Sequence, residues 1–286
     1  MNLEYTGRKV TKLAYRFLTT PADIYHSLVT HRLILCQLIR RDILARYRKS
    51  YLGILWALLT PMLTFVVYFY VFSNILRVRF TSPVPNINYN YGIILFSGIM
   101  LHLFLTEVLN RSPVLVLENV NFVKKVVFPL EILSLVAIGS AMVPLSLNYL
   151  ILVGAIFLFN GTVQPTIILV PLVWIPFFAV VAGISWVLSS LGVFLRDIVH
   201  VVGLFSTLLL FGSTILFPAN NLPNFLKILI LFNPLSVPVH ATRNLALWGL
   251  IPNLNYLTIY TGFAIIFLWF SAFWFTRTKR GFADVI

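Results

Sequence analysis

"RRDILARYRKSYLGILWALLTPMLTFVVYFYVF", Arg40 to Phe72, sets a dense basic cluster directly against a long apolar run. Its first ten residues hold Arg40, Arg41, Arg46, Arg48 and Lys49 with one acid, Asp42, and no further charge occurs before Arg77. A charge-free run of roughly 20 apolar residues is long enough to cross a bilayer as a helix. Ahead of it, Leu35, Leu38, Ile39, Ile43, Leu44 and Tyr47 recur at helical spacing, while Arg40, Arg41, Arg48 and Lys49 fall mostly elsewhere on the wheel. That pattern predicts an amphipathic helix over 35–49 lying in the membrane interface. Two readings of its cations stay open: anchors on lipid phosphate, or contacts to an anionic substrate or acidic partner.

The rest of the chain fits the same solvent. Of its 286 residues 59% are hydrophobic and 10% charged, against about 25% charged in a soluble domain. The net charge of +13 does not point to nucleic acid, because the cations cluster beside apolar runs. The single cysteine, Cys36, excludes an intramolecular disulfide framework and a cysteine-based zinc site. Met1 to Thr20 carries cations but no apolar stretch of roughly 7–15 residues, so targeting is expected from the first span.

Charge-free intervals locate the spans. The longest, 132–195, is divided by "FNGTVQPT" (Phe159 to Thr166), a turn signal. Six spans are expected, at about 53–76, 91–109, 130–158, 167–192, 200–217 and 256–276. With both termini placed in the cytosol, 17 of the 21 Lys and Arg lie inside; Arg77, Arg79, Lys227 and Arg243 lie outside. Between spans five and six, Phe225–Phe232 and Leu235–Leu250 are apolar but too short to cross, and prolines interrupt them. They are expected to form re-entrant or interfacial helices. The expected fold is therefore all-α and integral to the membrane. A cytosolic segment, 1–34, precedes a transmembrane domain, 35–286, with its interface helix at 35–49.

Several chemistries are missing. No G-x-x-x-x-G-K-[ST] loop is present, so the chain should not hydrolyse ATP. No carboxylate lies deep in a span, since Glu107 and Glu131 sit at span ends. The five histidines show no ligand spacing and no nucleophile–base pair is evident, so no catalytic residue and no metal is expected. A membrane transferase acting on polyprenyl phosphates would need its acid or base among Asp42, Glu107, Glu118, Glu131 and Asp197. Aromatic residues, including Tyr68, Tyr70 and Phe72, are compatible with packing or with sugar contact.

Five segments, in order, resemble the ABC-2 type permeases that export polysaccharides such as O-antigen, capsule and teichoic acid. They are Arg41–Arg79, "NVNFVKKVVFPLEILSL" (Asn119–Leu135), "LGVFLRDIVHVV" (Leu191–Val202), "FNPLSVPVHATRNLALWG" (Phe232–Gly249) and "FADVI" (Phe282–Ile286). The resemblance covers residue 38 to the end and leaves 1–30 without a role. It implies a permease subunit working as a homodimer with two copies of a separate ATP-binding subunit, which would hold ATP and Mg. The implied cargo is a lipid-linked glycan, O-antigen on undecaprenyl diphosphate, moved across the bacterial inner membrane. An ABC-2 exporter of another lipid or drug stays open. By the same resemblance, Arg40, Arg41, Arg46, Arg48, Lys49, Arg77, Arg79 and Arg243 are candidates for the lipid diphosphate. Tyr68, Tyr70 and Phe72 are candidates for the glycan channel. Asn119, Asn121, Lys124 and Lys125 are candidates for coupling to the ATPase.

Overall fold

The computed structural model describes residues 24–48, 50–75, 83–85, 88–124, 128–216, 230 and 232–286. Among them every regular element is helical. We label the principal helices α1 (Arg32–Tyr47), α2 (Trp56–Tyr70), α3 (Tyr91–Arg111), α4 (Glu131–Asn160), α5 (Ile175–Phe194), α6 (Ile198–Phe211), α7 (Ser236–Arg243) and α8 (Leu254–Thr278). Short 3-10 and π turns extend several of them, giving five stretches long and apolar enough to cross a membrane. These are Gly53–Ile75, Tyr91–Glu118, Glu131–Asn160, Pro165–Phe194 and Leu254–Val285.

The expected spans one, three and four coincide with three of these within a few residues, and spans two and six begin with theirs but stop nine residues short of Glu118 and Val285. The fifth differs. α6 has 14 residues and ends in turns at Gly212 to Leu216. At 1.5 Å per residue it measures about 21 Å, short of a hydrocarbon core of about 30 Å. Its charge-free interval was longer than the helix because an apolar turn carries no charge either. The expected piece Phe225–Phe232 lies almost wholly outside the described residues. Leu235–Leu250 does form helix, as α7 and a π turn, Asn244–Trp248.

α3 is the axis of the bundle. From Tyr91 to Leu101 it carries no charge on any side, as an enclosed helix should, and nearly every residue from Tyr91 to Leu109 is buried. α2, α4, α5, α6 and α7 all pack on it. Side-chain hydrogen bonds cross between helices: Ser112 Oγ donates to Ser185 Oγ (2.8 Å), Trp174 Nε1 to Thr242 Oγ1 (2.9 Å), and Trp274 Nε1 to Ser190 Oγ (2.8 Å). In lipid such bonds add specificity that apolar packing alone lacks. The outward faces are apolar: Met62, Val66 and Val67 on α2, Leu204 and Leu208 on α6, Ile259 and Ile266 on α8 are all exposed. An apolar surface of this extent matches a hydrocarbon solvent, and the chain is a multi-pass membrane protein.

The helices alternate in direction, which gives the bundle two ends. One carries Asp42, Glu107, Arg111, Glu131 and Lys279 and is called here the charged end. The other carries Asn90, Gly161, Arg243 and Asn253. Gly161 ends α4 with φ +74°, and its amide bonds the carbonyl of Phe157 (2.9 Å). That left-handed position is open to glycine at no steric cost.

Candidate functional site

At the charged end α1 is bolted across the bundle. Asp42 and Arg46 stand four residues apart on one face of α1. Arg111, the last residue of α3, donates Nη2 to Asp42 Oδ1 (2.8 Å) and Nη1 to Ser140 Oγ of α4 (2.9 Å). Ser140 passes the chain on to the carbonyl of Ala137 (3.0 Å). Arg46 Nη1 approaches Glu107 Oε1 of α3 to 2.6 Å, an ion pair away from hydrogen-bond angle, and its Nη2 stands 3.9 Å from Asp42 Oδ2. Beneath the charges, Leu38 of α1 buries against Ile132 and Val136 of α4. Ile39 lies over Gly139, where a Cβ would meet Ile39 Cγ1 at 3.0 Å.

Burial acts to raise the Asp42 pKa. The hydrogen bonds from Arg111 and Ser140, with the charges of Arg111 and Arg46, outweigh it and hold the carboxyl below its ordinary value. A depressed folded-state pKa means that the clamp contributes fully above the unfolded pKa of about 3.9 and is lost as pH falls through the folded value. Asp42→Asn is therefore expected to abolish part of the acid sensitivity below about pH 4 and leave the neutral-pH melting temperature lower. A double-mutant cycle of Asp42→Asn with Arg111→Gln should return a coupling of about 1 kcal/mol. Strictly additive effects in thermal unfolding of the solubilised protein would remove the clamp.

A second tie joins the same end. Glu131, the first residue of α4, receives Lys279 Nζ on Oε2 (3.0 Å) and Ser27 Oγ on Oε1 (3.3 Å), while Trp186 Nε1 donates to its backbone carbonyl (3.1 Å). An acid in a helix's first turn also faces the positive end of the dipole. One residue, through its carboxylate and its backbone carbonyl, thus connects the helical stretch 24–30, α4, α5 and the end of α8.

Between α1, α2, α3 and α4 lies a cavity of about 430 Å³, lined by Arg46, Thr60, Thr64, Glu107 and Asn148 among others. Asn148 is 4% exposed; its Nδ2 donates to the carbonyl of Pro144 (2.9 Å), and its Oδ1 has no partner among the described residues. An apolar hollow with an ion pair and a spare amide oxygen can receive a small polar group.

The family model described as ABC-2 type transporter matches residues 34–247, from the start of α1 through α7 and almost all of the π turn. The chain belongs to the ABC-2 type transporter family. The O-antigen export system permease protein RfbA of Klebsiella pneumoniae is 27% identical over 260 residues, covering 88% of this chain and 95% of that one. The protein of the same name from Myxococcus xanthus is 23% identical, covering 92% and 99%. The polysialic acid transport protein KpsM of Escherichia coli is 24% identical, covering 77% and 85%.

In this ABC-2 chain the sequence-predicted residues separate. Arg40, Arg41 and Arg48 are exposed on or just after α1, and Arg46 is committed to Glu107. Lys49, Arg77, Arg79 and Lys125 lie outside the described residues. Arg243 is at the opposite end, 4% exposed, its guanidinium on the carbonyls of Ile94, Thr214 and Ile215. It does not join the α1 arginines: Ile94 and Glu107 are about 20 Å apart along α3. Tyr68 and Phe72 stack at 6.2 Å and Phe72 meets Tyr91 at 6.0 Å, whereas Tyr70 points outward, exposed. Asn119 Nδ2 donates to the carbonyl of Leu115 (2.8 Å) at the turn between the short helices Leu115–Glu118 and Val120–Lys124. Asn121 and Lys124 are exposed there.

Sequence reasoning passed over Asp42, Glu107, Arg111 and Glu131 as partners. One local signal was available, the Asp42–Arg46 spacing of four on a helix.

Proposed function

We propose that this chain is the membrane permease of an ATP-driven polysaccharide exporter. The observation that carries the reading is similarity along nearly the whole length of permeases named for O-antigen export, 95% and 99% of their residues. In this reading the charged end faces the cytosol of a bacterial inner membrane, with both termini there. α6 and the turns after it make the fifth of six crossings. Two copies form the conduit, and two copies of a separate ATP-binding subunit, holding ATP and Mg, dock on that end. The exposed Asn121 and Lys124 are suited to that docking. The clamps at Asp42 and Glu131 tie the docking end to α3, α4 and α8, so that movement of the partner is passed to the spans.

The cargo is a glycan on a lipid diphosphate, undecaprenyl diphosphate in the simplest case. Arg40, Arg41 and Arg48 project from the edge of the bundle where the inner leaflet's headgroups would lie. Guanidinium forks pair with phosphate oxygens. The cavity beside Arg46 offers a place for a first polar group below them.

The test is deletion in the native host together with affinity purification from mild detergent. Loss of surface glycan and recovery of an ATP-binding subunit in equal ratio are the expected results. A lone chain, with surface glycan intact in the deletion strain, would overturn the reading. Replacing Arg40, Arg41 and Arg48 together by alanine should lower surface glycan at least tenfold, the order of several lost charge-assisted bonds, while the complex still assembles. Undiminished glycan in that variant would return these residues to lipid anchors.

A further inference from the structure

A second cavity lies at the end opposite the clamps. It has about 520 Å³ and sits between α7, the first turn of α8 and the turn that follows α6. That size is ordinary for a site that takes one small molecule.

Its polar groups are incompletely used. Thr214 is 9% exposed and its Oγ1 has no partner among the described residues, while its carbonyl is taken by Arg243 Nη1 (2.7 Å). His240 and Asn244 stand four apart, with Asn244 Nδ2 3.4 Å from His240 Nδ1. That contact orients both and leaves the imidazole Nε2 and the amide oxygen for a ligand. Asn253 Oδ1 accepts from the amide of Asn255 (3.0 Å), which leaves its NH₂ to donate. The ring of Tyr256, 65% exposed, stands at the rim, and Leu257 contributes to an aliphatic wall.

Among the described residues, no Lys, Arg, Asp or Glu lines the cavity. An anion or cation would find no countercharge among those residues. An acyl chain would leave Thr214 Oγ1 unpaired and would not use the remaining polar atoms of Asn244 and Asn253. A pyranose satisfies the set: adjacent hydroxyls both donate to and accept from amides, and one face of the ring is a patch of C–H suited to an aromatic surface. We propose that this cavity is a binding site for an uncharged sugar unit. The source of the sugar rests on the export reading, in which the site would hold a residue of the glycan on the far side. The binding chemistry rests on the cavity alone.

The experiment uses the full chain, with its co-expressed ATP-binding subunit where one is recovered, in lipid nanodiscs without free detergent. Methyl glycosides of mannose, galactose, rhamnose and N-acetylglucosamine are the probes, observed by saturation-transfer NMR on irradiating aromatic protons. At least one glycoside should give a saturable signal. Tyr256→Ala and Asn244→Ala should weaken it about tenfold, as the loss of one or two neutral hydrogen bonds does. Tyr256→Phe, which keeps the ring, should fall between. Ile259→Ala, on the outward face of α8, should leave it unchanged.

No signal from any glycoside would overturn the site, as would a signal undiminished in both Tyr256→Ala and Asn244→Ala. Surface glycan is measured in parallel. Normal export without sugar binding sinks this site alone; sugar binding without export or partner sinks the export reading and leaves the site standing.

Discussion

Arg243→Leu is expected to cost about 3 kcal/mol or more and to lower the melting temperature of the solubilised protein markedly. The side chain is 4% exposed, and its three nitrogens each reach a different carbonyl: Nε to Ile94 (3.2 Å), Nη1 to Thr214 (2.7 Å), Nη2 to Ile215 (3.0 Å). Thr214 and Ile215 belong to the turn that follows α6, where the carbonyls have no helical ladder to accept from. Leucine would fill the volume and leave both oxygens buried without that donor, at roughly 1–3 kcal/mol each. The turn holds Ile215 against Gly98 on α3, so its release would also open the core there. Arg243→Lys should recover only part of the loss, because an ammonium cannot present the planar fork. A leucine variant that melts with the parent would show that the three bonds do not hold the turn. The sequence reading assigned Arg243 to the outer face as a candidate phosphate ligand. The structure places it at the end opposite α1 and turns its donors inward onto carbonyls.

Gly192→Ala is the second large effect. A Cβ at this position of α5 would lie 2.6 Å from the carbonyl carbon of Pro113 and nearer still to its oxygen. The obstacle is backbone, in the 3-10 turn Ser112–Val114, and has no rotamer with which to move aside. The helix would have to lift from the turn, stretching the Ser112–Ser185 bond of 2.8 Å that fastens the two. Overpacking a rigid contact costs about 3 kcal/mol, and the expected readouts are a collapse in folded yield and early proteolysis at the charged end. Gly154→Ala is the matched control, since a Cβ there meets nothing within 4 Å. Replacing glycine by alanine inside a helix is expected to stabilise by up to about 1 kcal/mol. Equal yields of the two variants would dismiss the close approach as a cause.

Both positions bear on what could be read before the structure. Gly192 stands in "LGVFLRD", a segment that resembled the export permeases, yet nothing in its neighbours names Pro113 as the atom it must approach. The spans were legible because an unpaired charge is costly in hydrocarbon, so each crossing must be a charge-free run. α6 escaped that logic: its interval was long, but the helix stops at Phe211 and apolar turns continue the run.

The sequence alone determined the helical class, the place of five membrane-length helices and the presence of a helix before the first. These follow from local composition and period, which one segment carries by itself. Only the tertiary structure decided who pairs with whom. Asp42 meets Arg111 across 69 positions and Glu131 meets Lys279 across 148. It likewise set Arg243 against carbonyls and gathered Thr214, His240, Asn244 and Tyr256 around one cavity. A charge repels hydrocarbon wherever it stands in the chain, but a partner exists only once the helices have packed.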